Sequence, residues 1–222
     1  MLEQKQQIEY VIQEAQQTSS KSAKSVRLIA VTKTLTPDQT LQVAEAGLLH
    51  LGENRPEGLL SKLSLLPDST VWHYIGSLQT RKVKEVIDHI DYLHSLDRMS
   101  LASEIEKRAS RPVKCFIQVN VSGEQSKHGL APDEVKTFLE RIGPLTKIQP
   151  IGLMTMAPFE AKEKEIRGYF SSLRELRDSL QHQGFDDIKE LSMGMSEDYQ
   201  IAVEEGATFV RIGTALVGSL RE

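Results

Sequence analysis

Short apolar runs alternate with longer stretches of helical spacing along most of the chain, beginning at Val26. Such alternation predicts parallel strands joined by helical crossovers. Eight βα units in 222 residues favour a single closed (β/α)8 barrel of the TIM type over an open doubly wound sheet, because a closed barrel leaves no edge strand to cover. The open sheet stays the alternative. The predicted strands cover residues 27–31, 48–51, 71–75, 91–94, 113–119, 148–153, 188–191 and 208–211.

A further helix is predicted ahead of this repeat. Ile8, Val11, Ile12 and Ala15 lie at helical spacing, and the serine-rich segment 18–22 ends the pattern. No linker interrupts the order, so we expect residues 1–222 to form one domain. Later helix starts are predicted at residues 36–38, 54–57, 97–98, 131–134 and 196–198.

Composition narrows the classes of function. The chain has 27 Lys and Arg against 31 Asp and Glu, a net charge of -4, and no basic block, which disfavours nucleic-acid binding. No apolar stretch in the sequence reaches the ~18 residues of a membrane span, and the N-terminus carries no apolar signal core. We therefore expect a cytoplasmic protein with no membrane partner.

The single cysteine and the six histidines give no sign of a disulfide or a metal site. Cys115 lies in the apolar run 113–119 and is predicted to be a buried strand residue, not a nucleophile. The histidines show no His-x-x-x-His spacing, so no metal ligands are predicted.

Polar residues follow the predicted strands at a shared position. In a (β/α)8 barrel the active site is built from loops at the carboxyl ends of the strands. A solvated loop would explain each residue alone, but their common position favours a site. The residues are Thr32, Lys33, Thr34, Gly52, Glu53, Asn54, Ser95, Asn120 and Met154, with His73 and Gly76 near the end of the third strand.

Lys33 follows the apolar run 28–31 with only Thr32 between, so its side chain should emerge at the rim of the barrel mouth. Partial desolvation there favours the neutral amine, which can attack a carbonyl carbon and form a Schiff base. The plainer alternative is a lysine whose stem lies along the rim with its ammonium group in solvent.

Two glycine-containing loops supply the other half of the predicted site. Segments 191–196 and 211–214 each combine a hydroxyl and a glycine before a helix start. In this fold the loops after the seventh and eighth strands commonly hold a phosphate through backbone N–H groups. Helix capping explains either loop but explains both less well. Pyridoxal 5′-phosphate (PLP) has the required carbonyl and phosphate, and so does a sugar phosphate in a class I aldolase-like barrel.

Several separated motifs carry a resemblance to a known family. They are AVTKT at 30–34, GEN at 52–54, WHYIGSLQ at 72–79, HSLDR at 94–98, QVNVS at 118–122 with Glu124, Lys127 and Gly129, GLMT at 152–155, LSMGMS at 191–196 and VRIGT at 210–214. In this order, over residues 28–218, they resemble the pyridoxal phosphate homeostasis protein family, also called the YggS/PROSC family. Residues 54–57 most resemble its cyanobacterial, PipY-like members.

The resemblance implies a barrel like the N-terminal domain of alanine racemase that holds PLP. A guanidinium beside the pyridine nitrogen would disfavour a protonated pyridinium and weaken the electron sink that catalysis needs. The implied role is therefore PLP homeostasis without robust catalysis, with PLP-dependent apoenzymes as candidate clients. The implied cofactor-binding residues are Lys33 for the Schiff base, Ser192, Ser196, Gly213 and Thr214 for the phosphate, Arg211 for the pyridine nitrogen, and Asn54 and Met154 for the ring.

The sequence also departs from the family pattern. Arg81, Val217 and the pair 55–56 differ from the residues usual there, and none of them lies in the lysine or phosphate motifs. These departures leave rim details and partner surfaces in doubt, not cofactor binding.

A PLP-dependent amino-acid racemase is the alternative function. It needs a second acid or base opposite the substrate Cα. His73 and Lys127 are candidates, although His73 is equally well explained as a hydrogen-bonded barrel residue. Because the sequence stops at Glu222, we expect no second domain of the kind that builds dimers in related racemases. We therefore predict a monomer with no catalytic residue.

Overall fold

The structure, a computed structural model, describes residues 1–124 and 128–220. Eight parallel strands form a closed barrel in chain order, and the eighth strand closes the ring on the first. The predicted barrel is confirmed, and the open-sheet alternative is wrong. The strands are β1 Arg27–Val31, β2 His50–Glu53, β3 Val71–Tyr74, β4 Tyr92–Leu96, β5 Val113–Gln118, β6 Ile148–Met154, β7 Glu190–Ser192 and β8 Phe209–Ile212.

Helices surround the barrel on the outside. No helix among the described residues is long and apolar enough to cross a membrane. Short 3-10 turns occur at Thr80–Lys82, Ile87–His89, Pro132–Glu134 and Gly218–Leu220. The α-helices are α1 Leu2–Thr18, α2 Pro37–Glu45, α3 Pro56–Leu60, α4 Val83–Val86, α5 Met99–Arg108, α6 Val135–Ile142, α7 Glu163–His182, α8 Tyr199–Glu204 and α9 Thr214–Val217.

The first helix lies outside the βα repeat, as predicted. It contacts α8 and α9 and buries Ile8, Ile12 and Ala15. These residues form one apolar stripe, because they lie three or four positions apart on a helix. The helix thereby covers the outside of the last βα units next to β1.

The helix starts follow local sequence signals. Thr36 precedes α2, and its hydroxyl accepts the backbone N–H of Gln39 at 3.2 Å. The Gln39 side chain accepts the backbone N–H of Thr36 at 2.9 Å in return. This reciprocal capping satisfies two backbone donors that a helix start otherwise leaves unpaired. Pro37 and Pro56 open α2 and α3, where the missing N–H has no helical partner to lose.

Four strands begin later than the apolar pattern predicts, β4 and β8 by one residue and β2 and β7 by two. Leu48 and Ile188 are buried in the core ahead of β2 and β7 and do not belong to these strands. The pattern marks burial, which begins before the hydrogen-bonded ladder does. As a result, Glu53 and Ser192 are strand residues and not loop residues.

The core has an outer and an inner part. The outer part lies between the strands and the helices and includes Cys115, which is fully buried. Burial raises the pKa of this thiol to about 12, so it stays protonated at neutral pH, and its prediction as a buried strand residue is confirmed. The inner part fills the barrel itself with Ile29, Tyr92, Phe116, Met154 and Phe209.

Candidate functional site

Strands β1 and β8 place Lys33 and Arg211 at the same end of the barrel. Ile29 pairs with Arg211, and both side chains face the barrel interior. Side chains alternate along a strand, so Ile29 and Val31 share the inward side of β1, and Lys33 follows in the turn after that strand. Gly213 lies against Val31, since a Cβ added to Gly213 would be 3.5 Å from the Val31 Cβ. Lys33 therefore stands at the mouth of the barrel, above this layer.

The Lys33 side chain is exposed. Its position at the rim agrees with the expectation from the sequence. The expected partial desolvation is wrong for this structure, because Lys33 lies in the turn after β1 and its side chain is exposed. A free amine at an open mouth can be reached by a carbonyl compound from solution.

The loops after β7 and β8 meet at this mouth. The backbone N–H of Ala215 donates to Ser196 Oγ at 3.3 Å. Ser196 and Gly213 are half-buried, and Thr214 is exposed. The structure thus brings together three of the four residues that the family resemblance assigned to a phosphate.

Gly194 gives the loop after β7 its tight path. Its φ is +92°, and an added Cβ would lie 2.6 Å from the Ala202 Cβ. A side chain would therefore strain the backbone and collide with α8. The Gly194 carbonyl accepts the backbone N–H of Arg211 at 3.0 Å, which ties this loop to β8.

Ser192 is separated from the phosphate residues with which the resemblance grouped it. It is fully buried, as the last residue of β7, and its side chain points into the barrel. Its hydroxyl oxygen lies 2.5 Å from Arg211 Nη1 and 2.8 Å from His94 Nδ1. The predicted strand ended at residue 191, so the expectation of an open loop position for Ser192 is wrong.

Arg211 is a buried cation held in one orientation. Nη1 donates to Ser192 Oγ, and Nη2 donates to the Thr155 carbonyl at 3.0 Å. Burial lowers the pKa of Arg211 to about 10, and the nearby Asp198 carboxylate opposes that shift. The guanidinium therefore remains charged at neutral pH.

Three histidines continue this network across the barrel. Ser192 contacts His94, whose Nε2 lies 3.0 Å from His73 Nδ1. His73 Nε2 in turn lies 2.9 Å from His50 Nδ1. We call His50, His73, His94, Ser192 and Arg211 the histidine chain. His73 is thus a hydrogen-bonded residue inside the barrel. This was one of the two roles that the sequence left open for it, the other being a proton carrier.

Aromatic packing fixes the two inner imidazoles. His73 stacks on Tyr92 with ring centroids 4.4 Å apart, and His94 stacks on Phe116 at 4.4 Å. Burial is the main reason why the pKa of His73 lies well below its usual value, and the neighbouring His50 lowers it further. The pKa of His94 is lowered in the same way, mainly by burial and in addition by His73. Both imidazoles are therefore neutral at pH 7.

The residues expected to line a cofactor ring lie at different depths. Asn54 follows β2 and is half-buried at the mouth. Gly76 packs against it, and an added Cβ there would lie 2.3 Å from the Asn54 carbonyl oxygen. Met154 ends β6 with 1% of its surface exposed and packs with Phe116 and Phe209. It forms part of the inner core beneath the mouth.

A buried ion pair lies directly behind Lys33. Lys62 Nζ contacts Glu53 Oε1 at 2.5 Å and the Thr32 carbonyl at 2.7 Å, and Thr32 Oγ1 donates to Glu53 Oε1 at 2.6 Å. Both charged side chains are at most 2% exposed. The pair holds the peptide immediately before Lys33. It also shows that Glu53 turns away from the mouth, contrary to its expected place there.

The remaining sequence candidates divide between the strands and the loops. Ser95 is buried within β4, where its hydroxyl donates to the Gly76 carbonyl at 2.7 Å, so its expected loop position is wrong. Asn120 is half-buried after β5 and donates to the Glu124 carbonyl at 2.8 Å. Lys127, the second proton-carrier candidate, lies outside the described residues.

The closed barrel places this chain in the class of proteins that share the fold of the alanine racemase N-terminal domain. The family model described as "Alanine racemase, N-terminal domain" matches residues 4–221. Alanine racemase from Clostridium difficile shares this fold with a TM-score of 0.74 at 14% identity, covering 93% of this chain and 54% of that protein.

Relatives with higher sequence identity identify the family within this class. The pyridoxal phosphate homeostasis protein of Aquifex aeolicus is 41% identical over 211 residues, covering 93% of this chain and 92% of that protein. That of Pseudomonas aeruginosa is 37% identical, covering 94% and 90%. PipY of Synechococcus elongatus, solved without PLP, is 33% identical with a TM-score of 0.84, and covers 94% of this chain and all of that one. This chain belongs to the pyridoxal phosphate homeostasis protein family.

Proposed function

We propose that this chain holds PLP as a Schiff base on Lys33 and serves intracellular PLP homeostasis without robust turnover of amino acids. One observation supports the site above all: the amine of Lys33 and the loops with Ser196 and Thr214 meet at one mouth, above the buried cation Arg211. The names of its relatives and the structure of PipY with PLP bound, which is 34% identical, support the ligand.

The donor set fits PLP at its aldehyde and at its phosphate. Lys33 offers an exposed amine to the aldehyde. Ser196, Gly213 and Thr214 offer hydroxyl and backbone donors to a phosphate. When bound, PLP supplies an aldehyde carbon and an electron-withdrawing ring. The opposite ends of such a ligand would reach β1 and the loops after β7 and β8.

Arg211 would set the electronic character of the ligand. It lies two residues before Gly213 on the inward side of β8, and its charge persists at neutral pH. A fixed cation near the pyridine nitrogen disfavours protonation of that nitrogen and so weakens electron withdrawal from the reacting carbon. This favours holding PLP over using it in catalysis.

The phosphate assignment shifts toward Ser196 and away from Ser192. The Ser192 hydroxyl is buried and already contacts Arg211 and His94. Ser192 therefore acts on PLP through Arg211. Asn54, half-buried at the mouth, would contact the edge of the ring, and Met154, in the inner core, would lie below it.

We further propose that residues 1–222 act as one PLP-binding barrel domain, as a monomer in the cytoplasm, with PLP-dependent apoenzymes as clients. His73 is not available as a racemase base, because both of its nitrogens contact other histidines inside the barrel. Size-exclusion chromatography with light scattering tests the monomer: a stable dimer contradicts it.

A spectral titration tests the binding site. Purified protein, Lys33→Ala and the control Lys24→Ala are titrated with PLP and followed by visible absorbance. Lys24 is also exposed but lies before β1, away from the mouth. We expect a protein-bound chromophore in the wild type and in Lys24→Ala, and none in Lys33→Ala. An unchanged chromophore in Lys33→Ala contradicts the assignment.

An exchange experiment tests the absence of robust catalysis. PLP-loaded protein is incubated with L-alanine in heavy water, and deuterium at Cα and the D-alanine formed are measured. A racemase gives both, whereas a carrier gives neither above the rate with free PLP. Sustained turnover contradicts the proposal.

A further inference from the structure

The hydrogen bonds of the histidine chain can be counted proton by proton. Three of its contacts, from His50 to His73, from His73 to His94 and from His94 to Ser192, each need one donor and one acceptor and so each hold one proton. The fourth contact takes its proton from the Arg211 guanidinium. Three neutral imidazoles and one hydroxyl bring four protons. One proton is therefore left over, and it lies at one of the two ends.

The buried end has no place for the extra proton. Ser192 is fully buried, and the partners that the structure describes for its hydroxyl are His94 and Arg211. A guanidinium only donates, so Arg211 cannot accept the hydroxyl proton. At the other end His50 is half-exposed, and water can accept from its Nε2. The extra proton lies on His50.

We propose that His50, His73 and His94, each with its proton on Nε2, form a relay of fixed direction that positions the Arg211 guanidinium through Ser192. In this arrangement Ser192 donates to His94 Nδ1 and turns its lone pairs toward Arg211. His94 donates to His73, and His73 donates to His50. The three histidines are positioning residues, since none of them lies at the mouth.

The surroundings keep the relay uncharged and rigid. Tyr92 and Phe116 clamp the rings of His73 and His94. Cations outnumber anions around the imidazoles, which opposes a further proton. The charged and titratable groups that act on them are Arg27, Asp91 and Lys114 on His50, His50, Arg27 and Lys114 on His73, and His73 and Arg211 on His94.

The role given to Arg211 rests on the proposed function, whereas the direction of the relay does not. The tautomers of the three histidines can be measured on the protein without a ligand. The first experiment therefore uses 15N-labelled protein without PLP and long-range proton–nitrogen correlation of the imidazoles, assigned by single substitution. We expect Nε2-protonated, neutral rings at His73 and His94 at pH 7. A proton on Nδ1 of His94 overturns the relay.

A second experiment tests the link to Arg211. His94→Phe keeps a ring against Phe116 but removes the acceptor for Ser192, and we expect the Arg211 side-chain N–H signals to exchange with solvent at least about tenfold faster. His94→Asn, which restores an acceptor, should recover most of this protection. His182→Gln, at an exposed histidine on α7, is the control and should change nothing.

The Ser192→Ala background separates the relay from general destabilisation. If His94 acts through Ser192, His94→Phe adds no further exchange in that background. An equal effect in both backgrounds contradicts the relay. If the histidines show the expected tautomers but the protein does not bind PLP, the relay holds and the proposed function is rejected. If PLP binds on Lys33 but His94 is protonated on Nδ1, the proposed function holds and the relay is rejected.

Discussion

The exposed mouth and the buried polar groups beneath it differ in what their side chains are free to do. Lys33, Ser196 and Thr214 reach solvent, and a ligand can use their polar atoms. Glu53 and Arg211, by contrast, are buried and already hold protein partners. Changes at the mouth should therefore alter ligand binding, and changes beneath it should alter folding stability first.

The largest effect on stability is expected for Lys62→Met. It leaves the Glu53 carboxylate buried without its cation, and breaking such a pair costs about 3–5 kcal/mol. Urea unfolding measures the loss. The control is Arg108→Ala, which breaks the surface pair with Glu104 and should change stability little. Equal losses in the two variants would contradict the distinction between buried and exposed groups.

A smaller loss is expected for Ser192→Ala. The substitution removes a partner from both Arg211 Nη1 and His94 Nδ1, and a buried group left without a partner costs about 1–3 kcal/mol. Unfolding in urea measures it, with Ser196→Ala as the matched change at the mouth. A stability loss in Ser196→Ala as large as in Ser192→Ala would remove the contrast between the two serines.

The buried histidines predict a pH dependence of stability. Burial lowers the pKa of His73 and His94, whereas in the unfolded chain both titrate near the ordinary value of about 6.5. Below that pH the unfolded state binds more protons, so the free energy of unfolding falls as pH falls, by at most about 1.4 kcal/mol per pH unit for each group. Unfolding measured from pH 7.5 to 5.5 should show a shallower slope in His94→Phe than in His182→Gln. Equal slopes would mean that His94 is not held neutral.

The smallest effect, mainly on ligand affinity, is expected for Ser196→Ala at the mouth. Loss of one hydrogen bond to a phosphate should weaken PLP binding about tenfold. Stability should fall less than in Ser192→Ala, because the contact of Ser196 with the Ala215 N–H is exposed. Titration by absorbance measures the affinity. An unchanged affinity would place the phosphate elsewhere.

Much of the fold was predictable because parallel strands in a barrel are buried on both faces. Apolar runs therefore located eight strands, and Lys33 could be placed because it lies two residues after the end of such a run. The exact strand ends were not predictable, since apolar residues such as Leu48 and Ile188 are buried before pairing begins. That offset put Ser192 in a loop and hid its contact with Arg211.

The buried network was the least predictable part of the site. His50, His73 and His94 belong to three consecutive strands, and only the barrel register brings their rings into contact. An inward polar residue within an apolar strand is a signal that sequence alone can offer. It is weak, because the same residue can cap, snorkel or bind a ligand. The ion pair between Lys62 and Glu53 was not predicted, because the sequence placed Glu53 at the mouth and nothing in it pointed to Lys62 as a partner.

The most direct test of the account is borohydride reduction of PLP-loaded protein followed by mass analysis of its peptides. Borohydride makes the bond between PLP and its lysine permanent, so the modified residue can be identified. We predict one PLP per chain, on the peptide that contains Lys33, in the wild type and in Lys24→Ala. Reduction that labels other lysines and leaves Lys33 free would contradict the account.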